Sequence, residues 1–254
     1  MKIQIAGYGF VGMAHALALQ SSGIDVHIYD PYKGYKEWCD DCDAVIIAVS
    51  TPQNTDGSCD MSNVYSCVEA AGVHNPDVPI LIKSTISLDG WRLINRSYPH
   101  INVTFSPEFL RAKHALEDFK NQTATMIGGG HIGFWIDVLS SSLGTYVDVA
   151  DPEVLILTKY FRNSYLATKV AFFNQMYDIC EAAGVDGKKV LTNTAKDDRI
   201  GISHTAITEE RGFGGHCFPK DTSALCQAAK EFGKPMTILE AAREYNDKIR
   251  RIKE

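Results

Sequence analysis

Apolar residues run almost unbroken over Ile3–Ala6, Val26–Tyr29, Ala44–Val49, Ile80–Lys83, Val103–Phe105, Ala124–Ile127 and Tyr146–Val149. Helical patterns alternate with them, the first from Val11 to Ser22. Near-continuous apolar strands separated by helices predict a parallel sheet covered on both faces, because a strand buried on both sides has no polar face to show. After Asp151-Pro152 the texture changes. Residues 153–183 contain neither Pro nor Gly, their apolar residues recur at three and four, and Gly184 stops the run. Further helices are predicted over Lys188–Asp197, Thr222–Phe232 and Thr237–Lys253. The expectation is an α/β chain, with a sheet domain over residues 1–150 and an all-helical domain with a long central helix over residues 151–254.

The first strand leads straight into Gly7-Tyr8-Gly9-Phe10-Val11-Gly12, which opens a helix. Gly7 permits the tight turn, Gly9 lets the backbone approach a pyrophosphate, and Gly12 lets helix pack closely on strand. Phosphate charge would sit on the N–H groups of the helix N-terminus. A second strand ends at Asp30, eighteen residues after Gly12, where a carboxylate accepts hydrogen bonds from ribose hydroxyls and repels a 2′-phosphate. The sheet domain is therefore expected to be Rossmann-like and to bind NAD rather than NADP. Val49-Ser50-Thr51-Pro52 leaves the third strand at the same sheet edge.

Composition adds limits. The chain has 254 residues, 45% of them hydrophobic and 22% charged, an ordinary soluble globular balance. A net charge of −6 gives no basic surface for nucleic acid or an anionic membrane, so an anionic ligand must be held by local groups. No window reaches about 18 unbroken apolar residues, so no membrane span is expected. The seven cysteines form no dense framework, which favours a reducing, cytoplasmic compartment. Cys39-x2-Cys42 lacks a second close pair of ligands, so no metal site is expected; these two, like Cys59, Cys67, Cys180 and Cys226, read as small buried apolar side chains.

Cys217 is different. It stands in Gly212-Phe213-Gly214-Gly215-His216-Cys217-Phe218-Pro219-Lys220-Asp221, where glycines bring backbone close to a ligand and a nearby cation favours the nucleophilic thiolate. With this segment, the glycine turn and Asp30, the run Val49–Pro52 followed by Asp56-Gly57-Ser58, Lys83-Ser84-Thr85, Ser106-Pro107-Glu108-Phe109-Leu110-Arg111, and Lys159–Asn163 with Leu166–Lys169, all in order, the chain resembles the UDP-glucose/GDP-mannose dehydrogenase family.

The resemblance implies an NAD-dependent oxidation of the C6 alcohol of UDP-glucose, or a related UDP-sugar, to the carboxylate, with two NAD per turnover. Cys217 would be the nucleophile, carrying a thiohemiacetal and then a thioester. Lys159 and Asn163, four apart on one helix, would stabilise the oxyanion and orient the sugar. Thr85 and Glu108 would handle water, with Glu108 as general base in hydrolysis, and Asp221 would transfer a proton beside the cysteine. NAD would be held by Gly7, Gly9, Phe10, Val11, Gly12, Asp30, Val49, Thr51, Pro52, Ser84 and Thr85. The nucleotide sugar would meet Glu108, Phe109, Leu110, Arg111, Lys159, Asn163, Arg199, Phe213, Gly214 and Lys220. Read from the residues alone, Lys159 and Asn163 also fit a solvated helix face, Glu108 a helix cap and Arg199 a surface salt bridge. Arg199 also resembles the family arginine that reaches a neighbouring subunit's substrate. The apolar long helix, with Phe172, Phe173 and Met176, suits a homodimer core.

Three departures from the family pattern stand out. Ala112 replaces a usual Glu, Thr208-Glu209-Glu210-Arg211 replaces a glycine- and proline-rich lead into the cysteine motif, and the chain stops at Glu254. Family members continue into a second α/β domain that closes over the sugar nucleotide. The expectation is a compact form without that C-terminal UDP-binding domain. The alternatives are a non-catalytic NAD-binding subunit or a dehydrogenase for a different alcohol.

Overall fold

A computed structural model describes residues 1–111 and 114–251. The chain forms two compact units, one of Met1–Pro52 with Asp60–Lys159, the other of Gln53–Cys59 with the chain from Tyr160 onward.

The first unit holds a seven-stranded sheet of β1 (Lys2–Ala6), β2 (Asp25–Tyr29), β3 (Ala44–Ile47), β4 (Ile80–Ile82), β5 (Val103–Phe105), β6 (Ala124–Gly129) and β7 (Tyr146–Val149). Their order is β2-β1-β3-β4-β5-β6-β7. Five strands from β2 to β5 run parallel, with Ile5 opposite Ile28 and Ile46, and Leu81 opposite Ile46 and Thr104. Helices α1 (Phe10–Ser21), α2 (Ser62–His74), α3 (Leu88–Ser97), α4 (Ala115–Lys120) and α5 (Ile132–Leu143) join the strands. Ala16 and Leu19 of α1 and Trp135, Val138 and Leu139 of α5 pack with Ile3, Ile5, Ile46 and Leu81. Each such Ile or Leu contributes about 1.5–3 kcal/mol through removal from water. The Rossmann-like expectation holds here.

The first unit also departs from the sequence reading. β6 runs antiparallel to β5, pairing Thr104 with Gly129 and Phe105 with Gly128. Among the described residues the β5–β6 connection holds the six-residue α4; α5 then restores a parallel step from β6 to β7. Cys39 and Cys42 are buried, as expected, but they are joined in a disulfide rather than packed as separate thiols.

The second unit is helical, as expected. α6 (Pro152–Ala182) begins in the first unit and continues into the second, where α7 (Gly187–Thr194), α8 (Cys217–Glu231) and α9 (Thr237–Ile249) follow. Past α6 the chain turns on Gly184, whose φ of 67° is left-handed. Ala167 and Ala171 pack with Phe213, Phe218, Ala242 and Tyr245. α8 starts at Cys217, five residues before the expected Thr222. Pro219 does not prevent this, because its missing N–H falls in a first turn whose N–H groups have no intrahelical partner. The expected extension of the last helix to Lys253, and the Ala112 departure, lie outside the described residues.

Candidate active site

β1, β3 and β4 are parallel and end at Ala6, Ile47 and Ile82. Gly7, the segment Val49–Pro52, and Ser84 with Thr85 therefore leave the same carboxyl edge of the sheet, where ligands of such sheets collect. Gly7 has φ 93°, and a Cβ there would come 2.5 Å from the Ala48 carbonyl oxygen. A Cβ on Gly12 would overlap the Gly7 carbonyl. Gly9 is different, because a Cβ on it would meet open space. Its glycine is not required by packing inside the protein. Gly9 is also the N-cap of α1 and supplies no side-chain cap, so the helix offers its N-terminal N–H groups to an anion. The Tyr8 N–H donates to Asp30 Oδ2 at 2.9 Å, which fixes the carboxylate beside this turn. Ser84 Oγ donates to the Val49 carbonyl at 2.8 Å, and Thr51 is buried. Phe10 and Val11 are half-buried in the first turn of α1. An uncapped helix start, an open cradle at Gly9 and a fixed carboxylate together fit a dinucleotide.

A second group in the same unit surrounds Glu108. No helix begins there, so helix capping does not explain it. Its Oε1 accepts from the Phe109 N–H at 2.9 Å, and its Oε2 lies 3.2 Å from Lys83 Nζ and 3.5 Å from His15 Nε2. Lys83 donates to Ser106 Oγ at 2.9 Å. Lys159 is buried rather than solvated, and its Nζ donates to the Glu108 carbonyl at 2.8 Å. Burial alone would raise the Glu108 carboxyl, but the Lys83 charge and His15 outweigh it and hold the group far below the usual range, so it is a carboxylate. Burial lowers His15, with Glu108 opposing. Leu110 is buried, Thr85 and Phe109 are half-buried, and Arg111 is exposed and paired with Asp118 at 2.6 Å.

The second unit carries the cysteine. Cys217 is the first residue of α8 and is half-buried, while Cys59, Cys67, Cys180 and Cys226, also outside any disulfide, are buried. A helix N-terminus favours negative charge, which suits a thiolate. Asp221, four residues on and therefore on the same face, is buried; its Oδ2 accepts from Asn163 Nδ2 at 2.6 Å and its Oδ1 from Lys220 Nζ at 2.8 Å. Phe213 is buried and its N–H donates to Asn246 Oδ1 at 2.6 Å; a Cβ on Gly214 would overlap the Arg250 guanidinium. Arg199 is exposed and pairs with Asp197 at 2.6 Å.

Sequence reasoning missed two residues. His15 shows no metal-type spacing, yet it sits on the inward face of α1 with Gly12 and Leu19, and a titratable residue on such a stripe was the available signal. Arg211, from the segment that departs from the family pattern, has φ 56° and anchors the lead into Gly212. It donates to Asn174 Oδ1 at 2.8 Å and to Asp178, and lies over the Tyr177 ring.

Two sequence profiles match the chain: UDP-glucose/GDP-mannose dehydrogenase family, NAD binding domain, over residues 32–133, and the central domain of the same family over residues 155–248. The chain belongs to the UDP-glucose/GDP-mannose dehydrogenase family. Within that family it is 34% identical over 218 residues to UDP-glucose 6-dehydrogenase TuaD of Bacillus subtilis, covering 82% of this chain and 47% of that one. It is 29% identical to UDP-glucose 6-dehydrogenase of Rhizobium meliloti, covering 99% of this chain and 68% of that one. The chain thus spans about half the length of several of the curated relatives it matches. A UDP-glucose dehydrogenase structure from the archaeon Pyrobaculum islandicum superposes with a TM-score of 0.85 at 27% identity, covering 97% of this chain and 68% of that one. The Mycobacterium tuberculosis 3-hydroxyisobutyrate dehydrogenase shares the fold, with a TM-score of 0.76 at 16% identity over 97% of this chain and 92% of its own.

Proposed function

We propose that this chain is an NAD-dependent nucleotide-sugar dehydrogenase that oxidises the C6 alcohol of UDP-glucose, or a related UDP-sugar, to the carboxylate. The observation that carries the reading is the set Asn163–Asp221–Lys220, in which Asn163 of α6 and Lys220 both donate to Asp221 on α8, the helix that opens at Cys217. A protein that only binds NAD needs no such support for a nucleophile. NAD, when bound by the glycine turn and Asp30, supplies the hydride acceptor for both oxidations. Lys159, with its ammonium fixed by the Glu108 carbonyl, and Asn163 stabilise negative charge on the sugar oxygen. Asp221 handles the proton at the first turn of α8. The Cys217 thiolate adds to the C6 aldehyde, giving a thiohemiacetal, and after the second oxidation Cys217 carries a thioester. Thr85 orients water, and Glu108, held as a carboxylate by Lys83 and His15, takes its proton as the water oxygen bonds the acyl carbon. The C–S bond breaks and its electron pair returns to Cys217 Sγ.

Exposed Val154, Phe161, Tyr165, Phe172 and Ile179 recur at seven and four along α6, a seam that a second copy would cover in a homodimer. The cytoplasm is the proposed compartment; no described helix is long and apolar enough to cross a membrane.

The test is intact-mass and peptide analysis of the Glu108→Gln chain with NAD and UDP-glucose, alongside other sugar nucleotides. An acyl adduct on Cys217 is expected. NAD binding with neither adduct nor NADH for any sugar refutes the reading and favours a non-catalytic subunit.

A further inference from the structure

Two buried polar atoms face each other in the first unit without a hydrogen bond: Nε2 of His15 and Oε2 of Glu108, 3.5 Å apart. The His15 side chain is 1% exposed and that of Glu108 is 6% exposed. His15 comes from α1, the helix that opens at the nucleotide turn, and its ring stands edge-on to Phe119 of α4 at 4.8 Å. Among the described residues Lys83, at the end of β4, is a further charged group facing the pair, and Lys159 Nζ donates to the Glu108 backbone carbonyl.

We propose that His15 is a positioning and proton-accepting partner of Glu108, taking over at Nε2 the proton that Glu108 receives at Oε2. The inference rests on the hydrolytic role given to Glu108 above. A carboxylate 3.2 Å from a buried ammonium is a poor place for a proton to remain. An imidazole is the better base even where burial disfavours its charged form. Glu108 Oε1 accepts from the Phe109 N–H, and Oε2 is the carboxylate oxygen that faces His15. In the step, a water O–H bond breaks, its oxygen bonds the acyl carbon, and its proton passes to Oε2 and then to Nε2. No electrons change carrier, and the proton returns to solvent by the same route after product release.

The experiment has two arms. In single turnovers with UDP-glucose and NAD, His15→Gln, which keeps a polar amide but cannot accept a proton, should leave the first NADH-forming phase unchanged. It should slow loss of the Cys217 thioester by about 10²-fold, and the acid limb of the wild-type hydrolysis profile should vanish. Hydrolysis at the wild-type rate and pH profile overturns the proposal. The second arm needs no substrate and remains decisive if His15→Gln fails to fold: ¹⁵N-histidine NMR of the wild type and Glu108→Gln. His15 should titrate at lower pH in Glu108→Gln, by at least about 0.5, because a raising partner is gone. An unmoved titration overturns the coupling. Absence of wild-type turnover with every sugar nucleotide refutes the proposed function instead, while the NMR arm still decides whether the pair shares a proton.

Discussion

Replacing Lys83 by methionine leaves the Glu108 carboxylate buried without its main counter-ion. The two side chains are 1% and 6% exposed, so water screens neither charge. Removing one partner of such a pair costs about 3–5 kcal/mol, most of it the penalty of a stranded charge. The hydrogen bond from Lys83 to Ser106 Oγ is lost as well, which adds about 1 kcal/mol. All three tryptophans, Trp38, Trp91 and Trp135, belong to the first unit, so urea unfolding followed by tryptophan fluorescence reads the unit that holds the pair. At pH 7 the variant should lose about 4–6 kcal/mol, and adding Glu108→Leu should restore most of it, because the stranded charge is then gone. The sign with pH follows from the depressed Glu108 group. In the wild type the pair's contribution is complete above the ordinary Glu value of 4.5 and is lost as the pH falls toward the depressed native value. In Lys83→Met burial favours the neutral carboxyl, so the deficit should shrink as the pH is lowered. A loss below about 1 kcal/mol at pH 7, the range of exposed pairs, refutes the reasoning.

Other outcomes follow from the same geometry. Gly9→Ala, whose Cβ meets open space, should keep stability within about 1 kcal/mol yet weaken NAD binding at least about tenfold, read by fluorescence titration. Gly12→Ala, pressed against the Gly7 carbonyl, should cost about 1–3 kcal/mol in urea unfolding. Arg211→Ala should destabilise by about 2–4 kcal/mol in thermal unfolding by circular dichroism, from lost charged hydrogen bonds. Arg211→Lys should not rescue it, because one ammonium cannot span Asn174 and Asp178. Iodoacetamide at pH 7, mapped by peptide mass, should label Cys217 ahead of the buried thiols and spare Cys67, which burial pushes up to about 12.

The nucleotide half of the site was legible because its chemistry is local. Gly7, Gly9 and Gly12 serve one turn, and Asp30 ends the neighbouring strand. Long-range arrangements were not legible in the same way. His15, Lys83 and Glu108 lie on a helix, a strand end and a loop, and only the sheet order brings α1 beside the residues that follow β4 and β5. The reversal at β6 was not legible because apolar runs carry no direction. The early start of α8 was masked by glycines and Pro219, which read as a turn although a helix tolerates Pro in its first turn. Arg211 became visible only when Asn174 and Asp178, one turn apart on α6, were seen to receive it.

The central claim is a two-step oxidation at one carbon through Cys217, and the ratio of NADH formed to sugar nucleotide consumed tests it most directly. The account predicts two NADH per UDP-sugar for the wild-type chain, with the carboxylate as product, and no carboxylate from Cys217→Ser. One NADH per sugar with the aldehyde released, or two from a chain lacking Cys217, would contradict it.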